Sequence, residues 1–410
     1  MTEWAEIERA ARSSYGRLLA YLATRSGGDL AACEDALGDA FVAALERWGQ
    51  IGIPDRPEAW LFKVAKNRLL DRGKRVKVEE RAVQTLLLLH DERAFASVET
   101  SDAQLRMMFV CAHPAIAPNV RTPLMLQAVL GLTAEAVAQA FMVPTSTMAK
   151  RLVRAKAKIK RAKIPFELPV PEALPDRRGA VLDAIYAAYG RSWHLGVPDD
   201  GDVHALRSDA LHLAEVATEV MPDEPEAQAL LALLLFGEAR ASARRPAADT
   251  FCAFDDQDLT LWDEAAIDRA ESHLREATAQ ATFGRFQIEA ALQSCHVARR
   301  LRGIDNFQDV ERLYAVLNAR FPSLGAWLGW CAAHARVHGP RMALAKLKAA
   351  EGPSLAGHQP YWALRADLHR QVGQSEAAQD AYRRAVALTA DPAIRRWIVR
   401  RSQALTLLSN

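Results

Sequence analysis

The chain has 410 residues, half of them apolar and a quarter charged, an ordinary globular composition that at this length predicts two to four compact units. Its net charge of +2 hides an uneven spread: residues 1–165 carry 25 Lys and Arg against 18 Asp and Glu, and residues 166–410 carry 27 against 32. A basic front half is suited to meeting a polyanion, which an acidic back half is not. Two classes are excluded at once. No run of about eighteen apolar residues spans a bilayer, since ALLALLLF (229–236) is far too short. The acidic start MTEWAEIERA lacks a signal-peptide core, so a cytoplasmic protein is expected. The five cysteines (33, 111, 252, 295 and 331) form no CxxC pair. Reduced, core-packed thiols are therefore expected and no metal site, the pairs Cys111/His113 and Cys295/His296 being too sparse.

Taken in order, the elements predict an all-α protein. Residues 5–26 form an amphipathic helix ended by Gly27-Gly28, and Asp29 caps a second, LAACEDALGDAFVAALERW, that exposes Glu34, Asp35 and Asp39. The loop GQIGIPDRP leads to a third helix, EAWLFKVAKNRLLDRGKRVK. Its inward face is Leu61, Phe62, Ala65 and Leu69. Another face gathers Trp60, Lys63, Asn67, Asp71 and Lys74, flanked by Arg68, Arg72 and Arg75. An aromatic among amides and cations suits single-stranded nucleic acid, where bases stack on rings and cations hold phosphates. The alternative is that Trp60 packs into the core. Residues 76–101 read as a linker with a docking helix, after which Asp102 and Arg121 open two further helices.

The most distinctive stretch is GLTAEAVAQAFMVPTSTMAKRLVRAKAKIKRAK (131–163). A short helix with an apolar face of Ala136, Val137, Ala140 and Phe141 precedes a turn, and Pro144 opens a second helix. That helix buries Met148, Leu152, Ala155 and Ile159 and presents Thr145, Ser146, Thr147, Lys150, Arg151 and Arg154; positions 150–163 hold eight cations and no acid. A helix-turn-helix is built this way, the second helix entering the major groove by its N-terminal residues. A solvated basic helix closing a bundle is the bland alternative.

The order of these parts resembles an extracytoplasmic-function (group-four) RNA polymerase sigma factor over residues 5–165. CEDALGDAFVAALERW, then WLFKVAKNRLLDRGKR, a linker, and a four-helix domain ending TSTMAKRLVRAKAKIK carry the resemblance. It implies that Asp35, Ala36, Asp39 and Phe41 contact the largest-subunit clamp of core RNA polymerase. It further implies that Trp60, Lys63, Asn67 and Arg68 capture the melted −10 strand, and that Thr147, Lys150, Arg151 and Arg154 read the −35 duplex. The segment DAQLRMMFVCAHPAIAP is similar to the subgroup bearing a long C-terminal helical extension. Gly38 departs from the clamp-helix pattern, at about 1 kcal/mol of helix propensity.

The expected layout is a region-2-like domain over 5–77, a linker over 78–101, a region-4-like domain over 102–165, a Pro-rich linker over 166–178 and a helical extension over 179–410. Near its end YWALRADLHRQVGQSEAAQDAYRRAVAL places Trp362, Ala366, Gly373, Ala378, Tyr382 and Ala385 at tetratricopeptide spacing. DDQDLTLWD (255–263) resembles a motif of the same sigma subgroup, while its local chemistry reads as an N-capping loop, with Asp258 or Thr260 before the helix. The acidic extension could fold back and mask the basic half, or bind a protein partner along a concave face. The function expected is that of a sigma factor directing promoter recognition, melting and initiation. Its partners are core polymerase and promoter DNA, without a cofactor or catalytic residues. A free-standing helix-turn-helix regulator with a repeat-type sensor is the alternative, and an interaction scaffold with an incidental basic helix the third. No P-loop, GxGxxG or HExxH supports an enzyme.

Overall fold

The computed structural model describes residues 3–73, 99–195, 201–247, 249–280, 283–350 and 352–408. Among them the regular elements are helices and no strand occurs. Up to residue 98 the expected linker lies outside the described residues, as do Lys74 and Arg75. The chain forms two compact units, residues 1–194 with 200–220, and residues 195–199 with 221–410.

In the first unit, α1 (Glu3–Arg25), α2 (Leu30–Ile51) and α3 (Pro57–Gly73) pack around Leu18, Leu19, Leu37, Trp48, Leu61 and Phe62. The turn between α1 and α2 uses Gly27 and Gly28, both at positive φ, a conformation that costs glycine nothing. Asp29 then caps α2 by accepting the Ala32 N–H at 3.3 Å. An ion pair of 2.7 Å from Arg17 to Glu58 fixes the first turn of α3 on α1.

Next come α4 (Glu99–Cys111), α5 (Pro118–Ala128), α6 (Ala134–Ala140) and α7 (Thr145–Arg161). Helix α5 begins at Pro118 rather than Arg121, because proline is favoured in a first turn. Arg121 instead donates to the Ile116 carbonyl at 3.0 Å. The three-helix group α1–α3 and the four-helix group α4–α7 do not stand apart. Helix α1 packs on α4 and on the end of α5, where buried Gly16 lies against the Val129 carbonyl.

The Pro-rich segment 166–178 lies within this unit and does not end it. Beyond it, α8 (Pro175–Leu195) buries Val181, Leu182 and Ile185, and α9 (Gly201–Val220) buries Leu213, Ala214 and Ala217. Helix α9 packs on both α1 and α4. The prolines interrupt helix, but the apolar faces that follow are needed to complete the first core. The compact unit therefore closes at Val220, some forty residues beyond the expected boundary.

The second unit starts with α10 (Pro225–Glu238), which contains ALLALLLF. Leu230, Leu231, Leu234, Leu235 and Phe236 are all buried, so its all-round apolarity serves a core helix. No described helix is long and apolar enough to cross a membrane. After the short α11 (Ala241–Arg244), two 3-10 turns occupy DDQDLTLWD. Asp258 caps the second of these by accepting from Thr260 N–H at 2.9 Å, and Asp263 caps α12 (Glu264–Thr278). The loop does cap a helix, but the residue before α12 is Asp263 rather than Asp258 or Thr260. Glu226, in the first turn of α10, accepts the Phe286 and Gln287 N–H groups at the start of α13 (Arg285–Arg302).

Beyond it lie α14 (Phe307–Arg320), α15 (Leu324–His338), α16 (Pro340–Ala349), the short α17 (Pro353–Ala356), α18 (Gln359–Gln371), α19 (Ser375–Leu388) and α20 (Pro392–Leu408). Helices α18 and α19 turn at Gly373, which has φ +77°. They bury Trp362, Ala366, Ala378, Tyr382 and Ala385 in one core with residues of α15, α16 and α20. Small residues permit that close approach.

Candidate nucleic-acid interface

Three surfaces of the first unit carry the residues singled out by sequence. On α2, the inward stripe Leu30, Cys33, Leu37, Ala40, Ala44 and Trp48 leaves Asp35 exposed and Asp39 half-buried one turn later. Ala36 is fully buried and so offers no surface to a partner in this conformation. Phe41 is half-buried and stacks on Tyr15, ring centroids 6.3 Å apart. The exposed stripe contains two residues that the sequence reading passed over, Val42 (55 % exposed) and Glu46. Both share the Asp35–Asp39 face at helical spacing, which a wheel could have shown. The result is an acidic ridge with an apolar centre.

On α3, Lys63, Asn67 and Arg68 are exposed. Trp60 is not the free aromatic anticipated. It is half-buried, its ring edge-on to the buried Trp48 at 5.3 Å and 63°. Leu69 is half-buried rather than core. A half-buried Trp wedged against a buried neighbour is a fixed platform, with little rotamer freedom left to lose on stacking.

The third surface is α6, its turn and α7. Thr133 caps α6 by accepting the Ala136 N–H at 3.1 Å. The buried residues of α6 are Val137 and Ala138, whereas Ala140 and Phe141 face outward. The register differs from the apolar stripe expected because α6 ends at Ala140. The chain then reverses through Met142, at φ +51° and 94 % exposed. Pro144 stands just before α7 rather than in its first turn. Helix α7 buries Met148, Leu152, Ala155 and Ile159 as anticipated. Thr145, Ser146, Lys150 and Arg154 are exposed and Thr147 and Arg151 half-buried, with exposed Val153 beside them.

The later cations of α7 have a different fate. Lys156 is buried and pairs with Glu34 of α2 at 2.5 Å, and Lys160 pairs with Asp29 at 2.6 Å. These partners are the N-terminus of α2, not the acidic extension, and they fasten the basic helix to the helix bearing Asp35 and Asp39. Helix α8 adds a further tie, Arg191 donating to the Ala136 carbonyl at 3.3 Å. Asp209 of α9 faces Arg17 and Glu58, and burial holds its carboxyl above the usual range despite Arg17. The first unit thus presents an acidic ridge, an aromatic-cationic face and a cationic helix end, the first and third joined directly.

Residues 12–77, which contain α2 and α3, match the family Sigma-70 region 2, and residues 177–278, from α8 into α12, match a family of unknown function, DUF6596. Over 396 residues the chain is 31% identical to an uncharacterized protein of Rhizobium meliloti, an alignment covering 94% of this chain and 92% of that one. No solved structure matches it.

Proposed function

Because the chain belongs to one family with the Rhizobium meliloti protein and carries the sigma-70 region that contacts core RNA polymerase and −10 DNA, we propose that it is an extracytoplasmic-function type sigma factor. It binds core polymerase and directs promoter recognition, melting and initiation, with a helical C-terminal domain of tetratricopeptide type that modulates activity. The ridge of Asp35, Asp39 and Val42 meets the polymerase clamp. Trp60, Lys63, Asn67 and Arg68 capture unstacked bases of the −10 strand. The helix-turn-helix of α6 and α7 places Thr147, Lys150, Arg151 and Arg154 in the −35 major groove. The observation that carries this reading is the coincidence of the region 2 match with α1–α3, whose last helix exposes Lys63, Asn67 and Arg68 around a braced Trp60.

The closed first unit adds a condition. Elements centred at −35 and −10 lie about 25 base pairs apart, on the order of 85 Å at about 3.4 Å per pair. Helix α7 touches α2, which packs on α3, so two helix-packing steps place the two DNA faces only about 20 Å apart. Promoter engagement therefore requires α7 to leave α2. Helix α9, packed on α1 and α4, opposes that opening, so the extension acts through its first helices.

Run-off transcription with purified core polymerase tests the proposal, using the full chain and residues 1–220. Promoter-specific transcripts from the full chain are expected. Duplex DNA binding that needs no polymerase, with no transcript stimulated, would replace the proposal with a free-standing regulator.

A further inference from the structure

Outside the surfaces above, one cluster of side chains in the second unit combines donors in a way that packing does not require. Glu311 stands in α14, and His334 and His338 follow one another by a single turn on α15, so both imidazoles leave the same side of that helix. Glu311 Oε1 lies 2.6 Å from His334 Nδ1, and its Oε2 lies 3.2 Å from His338 Nε2. One donor atom from each of the three falls within 4.8 Å of the others. Tetrahedral donors about 2.0–2.1 Å from an ion are about 3.3 Å from one another, so small rotations of three side chains suffice to enclose one.

The surroundings favour the same conclusion. His334 is buried and stacked on Trp330 at 4.9 Å. Its Nε2 is buried without a hydrogen-bond partner, whereas a histidine buried for packing alone ordinarily has its polar atoms satisfied. The side chain of His338 is half-exposed, which provides an entry path and a place for water as a fourth ligand.

We propose that Glu311, His334 and His338 form a binding site for one divalent transition-metal ion of the zinc or cobalt class, clamping α14 to α15. Two imidazoles and one carboxylate match the borderline character of these ions, whereas magnesium and calcium call for all-oxygen sites.

The test is a Co2+ titration of the full chain after treatment with chelator. Tetrahedral visible bands should saturate at one equivalent, without a near-ultraviolet thiolate charge-transfer band. That distinction matters because Cys331 lies one turn before His334, although burial pushes its thiol up to about 11. His338→Ala and Glu311→Gln should each weaken Co2+ binding about tenfold or more, while His369→Ala, on α18, should leave it unchanged. Zn2+ should displace the cobalt and raise the thermal midpoint of the unsubstituted chain alone. Absence of the bands, their persistence in both site variants, or a thiolate band would overturn the assignment.

Discussion

Gly16→Ala separates a closed first unit from two domains that merely adjoin. In an exposed helix interior this change gains about 1 kcal/mol of helix propensity. Here the added Cβ would stand 1.7 Å from the Val129 carbonyl oxygen and 3.3 Å from Gln104 Nε2. Backbone cannot yield as a side-chain tip would, so α1 and the end of α5 must part by about 1.3 Å to restore a 3.0 Å contact. That movement breaks the bond of 3.3 Å from Gln104 Nε2 to the Val129 carbonyl. Orphaning that buried pair costs about 1–3 kcal/mol, and overpacking a further 1–3 kcal/mol. After the helix gain, the net loss is about 1–5 kcal/mol. Native-state hydrogen exchange on the full chain reads it directly: the protected amides of α1 and α5 should exchange about 5- to 5,000-fold faster. Unchanged or slower exchange in α1, the response of a solvated helix, would refute the close approach. If opening also precedes promoter engagement, the same variant should bind promoter DNA more tightly.

Four further outcomes follow from the same geometry. Glu34→Ala strands the buried Lys156 ammonium, so stability should fall by about 2–4 kcal/mol, whereas Glu34→Leu with Lys156→Met should be close to neutral; a double-mutant cycle in urea with coupling below about 0.5 kcal/mol would contradict this. Lys150→Ala or Arg154→Ala should cost about 1–3 kcal/mol in −35 duplex affinity if a base edge is read; equal losses on every sequence would instead indicate phosphate contact. Asp39→Arg should abolish co-purification with core polymerase while circular dichroism stays unchanged, and retained association would remove α2 from the clamp contact. His296 is held down at about 4, first by burial and then by Arg299 and Arg240. The unfolded chain therefore takes up a proton near pH 6.5 that the folded chain refuses. Stability should decline by up to about 3 kcal/mol between about pH 6.5 and 4. His296→Phe should flatten that part of the urea midpoint's pH dependence relative to the unsubstituted chain.

Much of this protein is local, and local features were legible before any fold was known. Helical period marks apolar faces, so Met148, Leu152, Ala155 and Ile159 of α7 and Leu61, Phe62 and Ala65 of α3 were assigned inward, as they are. Caps act within three residues, which is why Asp29 could be read from sequence. Tertiary structure decided what each face meets. Lys156 opens the run Lys156–Lys163, which by sequence anchors on phosphates or meets the acidic C-terminal half, yet its partner is Glu34, 122 residues away. Trp60 sits on a polar face by wheel, yet Trp48 takes one side of its ring. Proline content marked 166–178 as a boundary, but α8 and α9 supply apolar surface that the first core lacks without them. Glu311 and His334 are 23 residues apart on different helices, and no spacing rule joins them. A helical sequence fixes which side of each cylinder avoids water, because that follows from a period of 3.6 residues. Which cylinders share that side depends on the total apolar area to be buried, a property of the folded chain alone.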